Sequence, residues 1–214
     1  MRYYPIHLDV KGRPVLVVGG GGIAEGKAEQ LLAAGASIQL VSPTLTPRLA
    51  ALVAQRAIRH RAGAFAEFDL LGVMLVICAT DDPAVNQEVH RLATARNLLC
   101  NVVDQPALCN FITPALVLRG DLQIGISTAG GSPSVAQLVK RRIAETIGEE
   151  YGDLLRITAA LRDALKARGV GYNDRRDLLN EFLESDVLDL LRAGRLEEAE
   201  ARAAQALARL DAPE

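Results

Sequence analysis

The sequence predicts an α/β protein: a parallel, doubly wound sheet in its first half, then a small α+β segment and an all-helical remainder. Three observations carry this reading. Short, continuous apolar runs alternate with amphipathic stretches up to about residue 103, as parallel strands buried on both faces and separated by helices require. The first run stops at four consecutive glycines, Gly19 to Gly22. From about Tyr151 onward the spacing is helical almost to the end, with breaks only at Gly169–Gly171 and Gly194.

The elements follow in order. Pro14 to Val18 is an uninterrupted apolar strand, and Ile23 to Ala34 sets Ile23, Lys27 and Leu31-Leu32 at helical spacing before Gly35 stops the helix. Ser37 to Val41 is the second strand, ended by Ser42-Pro43-Thr44; a helix over 46–55 and a short strand over 58–61 come next. Val73 to Cys78 is a buried strand. Asp82-Pro83 then supplies an N-cap and an N1 proline for a helix to about Arg96, and Leu98 to Val103 is a further strand. Ile112 to Leu118 and Leu122 to Ser127 flank Arg119-Gly120-Asp121 and read as a hairpin; Ser132-Pro133 opens a helix carrying Lys140-Arg141-Arg142. The tail Leu196–Leu210 spans only about two heptads, so it reads as a packed terminal helix and not a coiled coil.

Composition narrows the class. In 214 residues, half are hydrophobic and 23% are charged, with 24 Lys+Arg against 26 Asp+Glu. A net charge of −2, no tryptophan, 4 Tyr and 4 Phe argue against a protein that binds nucleic acid by bulk charge and stacking. No apolar run reaches the roughly 20 residues of a membrane span, and Met1 to Pro5 lacks the apolar stretch of a secretory leader. The three cysteines, Cys78, Cys100 and Cys109, form no C-x-x-C pair and read as inert thiols in a reducing cytoplasm. His7, His60 and His90 fall in no ligand motif, so no resident metal site is expected.

The chemistry concentrates at strand ends. Gly19, Gly21 and Ala24 form G-x-G-x-x-A between a strand and a helix. Gly19 permits the tight turn, Gly21 lets a pyrophosphate approach the backbone, and Ala24 lets the helix close on the strand, while the helix N-terminus attracts the phosphates. A dinucleotide is therefore expected on Gly19, Gly21, Gly22, Ile23 and Ala24. The acidic residue that commonly marks NAD at the end of the second strand is missing, and Ser42-Pro43-Thr44 stand there instead. Local chemistry alone leaves NAD and NADP open. Two other strand ends face the same crevice: Ala79-Thr80-Asp81-Asp82 and Asn101-Val102-Val103-Asp104. Asp82 reads as a helix cap. Asp104 precedes no helix, so it is either a turn-forming residue or a proton acceptor at the mouth of the crevice.

These motifs, with Tyr4-Pro5-Ile6-His7-Leu8, Cys109-Asn110-Phe111, Pro114-Ala115 and Ser127-Thr128-Ala129-Gly130-Gly131-Ser132-Pro133, occur in one order. Together they resemble the precorrin-2 dehydrogenase family, which includes the dehydrogenase/ferrochelatase half of siroheme synthase. The resemblance covers residues 3 to about 145, with weaker motifs beyond. It implies a Rossmann domain over 1–112, a dimerisation region over 113–148 and a helical domain over 149–214, assembled as a cytoplasmic homodimer. It implies NAD-dependent oxidation of precorrin-2 to sirohydrochlorin and, in some members, Fe²⁺ insertion, which the residues here do not decide. It assigns NAD contacts to the glycine loop and to Ser42, Pro43, Thr44, Thr80, Asp81, Asn101, Val102 and Val103, and makes Asp104 the catalytic aspartate. Asn110, Arg119, Thr128 and Lys140 are the implied substrate contacts. Arg141, Arg142 and, more weakly, Lys27 are further candidate cations for a polycarboxylate, against the plainer reading of a solvated helix face. Thr128-Ala129 replaces the Ser-Gly of some members, and Gly26 stands where a basic residue is common. A sensor that binds NAD without turnover is the alternative of a different class.

Overall fold

The computed structural model describes residues 3–210. Met1, Arg2 and the last four residues, included in the N- and C-terminal assignments above, lie outside them. The contacts divide the chain into two compact units, one ending at Thr113 and one beginning at Pro114.

The first unit is a five-stranded, all-parallel sheet. Its strands are β1 (Pro14–Val18), β2 (Ser37–Ser42), β3 (Arg59–Ala62), β4 (Leu75–Cys78) and β5 (Leu99–Val102), in the order β3-β2-β1-β4-β5. Helices α1 (Gly22–Ala33), α2 (Pro47–Ala54) and α3 (Pro83–Ala95) make the crossovers, with a single 3-10 turn at Glu67–Leu70 between β3 and β4. Because parallel strands bury both faces, two apolar clusters form. Val15, Val17, Ile38, Leu40 and Ile77 meet α1 and α2 through Ala24, Ala28, Leu49 and Leu52 on one side. Leu16, Val41, Val76, Cys78, Cys100 and Val102 meet Val89, Leu92 and Ala93 on the other. The strand order reverses direction between β1 and β4, and there a crevice opens beyond the carboxyl ends of the strands.

The second unit pairs β6 (Ala115–Arg119) with β7 (Leu122–Ile126) antiparallel, then runs through α4 (Pro133–Thr146), α5 (Glu150–Ala167), α6 (Tyr172–Glu184), α7 (Val187–Arg192) and α8 (Leu196–Ala208). The Gly169–Gly171 and Gly194 breaks fall where the glycines suggest. A further break at Ser185-Asp186 carries no glycine or proline: the Ser185 hydroxyl donates to the Phe182 carbonyl and accepts from the Val187 amide, closing α6 and opening α7. The tail helix α8 packs by Ala199 and Ala203 into a cluster with Ile157, Leu161, Leu165 and Phe182. No helix among the described residues is long and apolar enough to cross a membrane.

Cys78 and Cys100 are buried free thiols on neighbouring strands. Burial pushes the Cys78 thiol up to about 12 and the Cys100 thiol up to about 11, since a thiolate loses its hydration there. Neither is expected to react with iodoacetamide at pH 8 in the native state, and both should react once the chain is unfolded in urea; mass spectrometry of tryptic peptides checks this. The sign of the linkage follows: the stability that goes with the neutral thiols is complete below an ordinary cysteine value near 9 and is lost as the pH rises toward the folded values.

Candidate functional site

The ends of β1, β2 and β4 build a cleft of about 400 Å³, completed by Gly63, Ala64 and Phe65 after β3. That volume is within the range of small-molecule sites. Val18 to Ile23 form its floor, with Val41, Ser42 and Pro43 on one side and Ala79 to Asp82 with Val85 on the other.

The four glycines are not equivalent. Gly19 has φ +119°, and a Cβ there would stand 2.2 Å from the Ala79 carbonyl oxygen. At Gly20 a Cβ would be 1.9 Å from the Thr44 carbonyl oxygen and 2.6 Å from Ser42 Oγ. These two wedge the loop between the ends of β2 and β4, an arrangement tied by the Gly19 amide to Val41 and by the Thr46 amide to the Gly20 carbonyl. A Cβ at Gly21 or Gly22 meets nothing within 4 Å; the space they leave is the cleft itself. Gly20→Ala is expected to lower unfolding stability by about 1–3 kcal/mol, because the obstacle is backbone and cannot rotate away. A urea titration against the wild type measures it.

Helix α1 begins at this loop with Gly21 as its N-cap and no side-chain cap. The other two crossover helices are capped: the Thr46 hydroxyl accepts from the Leu49 amide, and Asp82 Oδ1 accepts from the Ala84 and Val85 amides. So the α1 amides alone among these three helix starts are left to an outside acceptor, and an anion satisfies them. Glu25, in the first turn of α1, accepts a hydrogen bond from the Thr46 hydroxyl.

Of the residues expected to hold the nucleotide, Gly19, Gly21, Gly22, Ile23, Ser42, Pro43, Thr80 and Asp81 line the cleft. Ala24 is fully buried under α1, as its helix-packing role requires. Thr44 touches the loop through its carbonyl, and its side chain is exposed. Asn101 and Val102 are buried and outside the cleft lining. Asn101 donates to the Phe111 carbonyl and toward Cys109 Sγ, and Val103 packs in the α1-side core. Pattern reading missed Gly20 as a structural glycine and missed Gly63, Ala64 and Phe65. No motif marks those three; only the register of β3 beside β2 brings them in.

Asp104 follows β5 with φ +59°, a left-handed conformation that costs a non-glycine residue on the order of 1 kcal/mol or more. Its side chain is exposed. The loop behind it is stapled. Cys109 Sγ accepts from the Val102 amide at 3.2 Å, and its single S–H lies within reach of the Val102 and Gln105 carbonyls, at 3.1 and 3.3 Å. Asn110 accepts from the Cys100 amide and donates to the Leu98 carbonyl, both at 2.8 Å. Each end of the Asn110 amide thus has one backbone partner at the start of β5, and the residue is otherwise exposed. Lys27, one turn into α1, donates to Thr113 Oγ1 at 2.9 Å. Burial holds its ammonium below the ordinary lysine value, and the negative charge of Asp104 partly offsets that.

The remaining expected contacts lie in the second unit. Arg119 caps α4: its guanidinium donates to the Ile147 and Ala144 carbonyls and pairs with Glu149 at 3.2 Å, which makes it a structural cation. Thr128 Oγ1 accepts from the Ser132 amide and donates to the Ser132 carbonyl, closing the turn in which Ala129 has φ +54°. Lys140 is half-buried on α4. Among the described residues no group of three or more His, Cys, Asp or Glu side chains could hold a metal ion.

Comparison with known proteins covers nearly the whole chain. A family model described as "Putative NAD(P)-binding" matches residues 6–115, one for the sirohaem biosynthesis protein central region matches 119–146, and one for the sirohaem synthase dimerisation region matches 150–207. Siroheme synthase of Thioalkalivibrio sulfidiphilus is 42% identical over 195 residues, 91% of this chain and 40% of that protein. Siroheme synthase of Methylobacillus flagellatus is 41% identical over 199 residues, 93% of this chain and 43% of that protein. The chain thus spans about two fifths of the length of these relatives. Among solved structures, SirC, a precorrin-2 dehydrogenase, superposes with a TM-score of 0.80 at 29% identity, covering 95% of this chain and 100% of the other.

Proposed function

We propose that this chain, which belongs to the NAD(P)-binding family and continues it with the two sirohaem-biosynthesis regions, is an NAD-dependent dehydrogenase that oxidises precorrin-2 to sirohydrochlorin. The observation that carries the reading is the uncapped start of α1 at Gly21, opening onto the cleft at the strand-order reversal, in the same compact unit as Asp104.

The residues fit the cofactor. The α1 amides and the space at Gly21 and Gly22 accept a pyrophosphate, and Ser42 with Pro43 borders the adenosine end. Arg61, whose register partner is Val41 near the end of β2, is locked to buried Asp69 by Nε at 2.7 Å and by its Nη2. Among the described residues that line the cleft there is no Lys or Arg to meet a 2′-phosphate, which favours NAD over NADP. NAD, when bound, supplies the hydride acceptor. Asp104 takes the proton that leaves the macrocycle as two electrons depart with the hydride, and releases it to water. Its left-handed backbone, held by the Cys109 and Asn110 staples, keeps the carboxylate turned out of the loop and exposed. Thr128 and Lys140 remain the proposed substrate contacts of the second unit. Arg119 and Asn101 are better read as structural, and the exposed Asn110 stays a proposed substrate contact.

The match to a dimerisation region over residues 150–207 supports a homodimer, and it lies on the helical third of the chain, not on the 113–148 segment expected to dimerise; a three-part division at about residues 112 and 148 is proposed with it, supported by matches over 6–115, 119–146 and 150–207. Cys78 and Cys100, buried thiols not joined in a disulfide, suit a cytoplasmic enzyme. Anaerobic incubation with enzymatically made precorrin-2 tests the function. Sirohydrochlorin is expected only when NAD⁺ is present; unchanged precorrin-2 with NAD-competent protein would turn the reading toward an NAD sensor. Adding Fe²⁺ afterwards, against a protein-free control, decides whether iron is a second substrate.

A further inference from the structure

We infer that Lys27 is a specificity-determining residue, the cation that seats a carboxylate group of the substrate beside Asp104. The inference rests on the dehydrogenase reading and extends it to how a polycarboxylate is recognised.

Lys27 lies on α1 between Ala24 and Ala28, the fully buried residues that press the helix onto the sheet. Its side chain is half-buried. An ammonium carries three donors, and among the described residues one of them is used, on the neutral hydroxyl of Thr113. Among the described residues it forms no ion pair within 4 Å. Arg48, Arg61, Arg91 and Arg96 of the same unit each hold a carboxylate, of Glu29, Asp69, Glu88 and Glu67 respectively, and the cations for which no ion pair is seen among the described residues, Lys11, Arg13, Arg56 and Arg59, are exposed, whereas Lys27 is half-buried. Removing a charge from water without a paired anion is costly, which is why buried cations are normally paired. Here the cost is visible as the lowered proton affinity of Lys27, and Asp104 is the carboxylate whose charge is felt. A half-buried ammonium with two open donors, whose printed hydrogen bond is to the Thr113 hydroxyl, calls for an anion supplied from outside. The substrate, a ring edged with carboxylates, supplies one. A carboxylate held at Lys27 would fix the ring relative to Asp104, so that the departing proton faces the base.

The test compares Lys27→Met and Lys27→Arg with the wild type in steady-state dehydrogenation, with NAD⁺ affinity by calorimetry and sirohydrochlorin affinity by fluorescence. Lys27→Met is expected to raise the KM for precorrin-2 and weaken sirohydrochlorin binding by about 10–100-fold, the worth of a charged hydrogen bond. NAD⁺ affinity stays unchanged, and Lys27→Arg recovers most of the loss. Unchanged KM and product affinity overturn the inference, and so does a loss confined to kcat, which would make Lys27 a partner of Asp104 only. A fall in NAD⁺ affinity overturns it too, by assigning Lys27 to the cofactor. Should Lys27→Met not fold, Lys27→Gln serves the same comparison. Failure of the wild type to oxidise precorrin-2 would sink the dehydrogenase reading, whereas Lys27-dependent sirohydrochlorin binding in that case would leave the carboxylate seat standing.

Discussion

Asp104→Ala is expected to bind NAD⁺ with wild-type affinity and to lose about 10²–10⁴-fold in the rate of precorrin-2 oxidation, the usual worth of a positioned general base. Two features separate this outcome from general damage. Asp104 is exposed, so its carboxylate supports no core contact, and the loop is held by Cys109, Asn101 and Asn110 without it. Its backbone is left-handed, so Asp104→Gly should relieve strain while removing the carboxylate as completely as alanine does. A stable but inactive Asp104→Gly protein would show that the side chain carries the effect. Near wild-type turnover in either variant, followed by single-turnover kinetics, would reduce Asp104 to a turn residue.

The second large effect is at Gly21. Its φ of −84° suits any L residue, and a Cβ there meets nothing within 4 Å. Gly21→Asp therefore costs the fold little. Gly21 is the N-cap of α1, and aspartate is among the best N-caps, so the variant is expected to melt at or slightly above the wild-type temperature. Its carboxylate then occupies the amides that a pyrophosphate would use and repels the phosphates besides. Calorimetry should show NAD⁺ affinity reduced more than about 100-fold, equivalent to one or two charged hydrogen bonds. A folded Gly21→Asp protein that still binds NAD⁺ tightly would place the cofactor elsewhere.

Local pattern made most of the sheet legible because its strands are short, apolar and bounded by breakers, the charged β3 (Arg59–Ala62) excepted. The β1 strand from Pro14 to Val18 and the helix starts at Asp82 and Ser132 follow from residue type alone, whereas Thr46, read as the first helical residue, proves to be the N-cap of α2. What the pattern could not carry was partnership across the fold. Asn101 and Arg119 have the chemistry of ligand contacts, yet they donate to backbone carbonyls that the pattern does not bring to them, of Phe111 and Ile147. Gly20 looks like any other glycine in the run until the Thr44 carbonyl is seen against it. Phe65 enters the cleft only through the pairing of β3 with β2. Lys27 was visible as a cation, but its missing counter-ion is a property of the packed structure.

The most direct measurement is the stoichiometry of a single anaerobic turnover, with NADH and sirohydrochlorin quantified together as enzyme-bound precorrin-2 is consumed. The proposed mechanism predicts one NADH for each sirohydrochlorin, formed at the same rate, and both abolished together in Gly21→Asp. Sirohydrochlorin formed without matching NADH would contradict it, because the hydride would then be leaving by a route that does not involve the glycine-loop cleft.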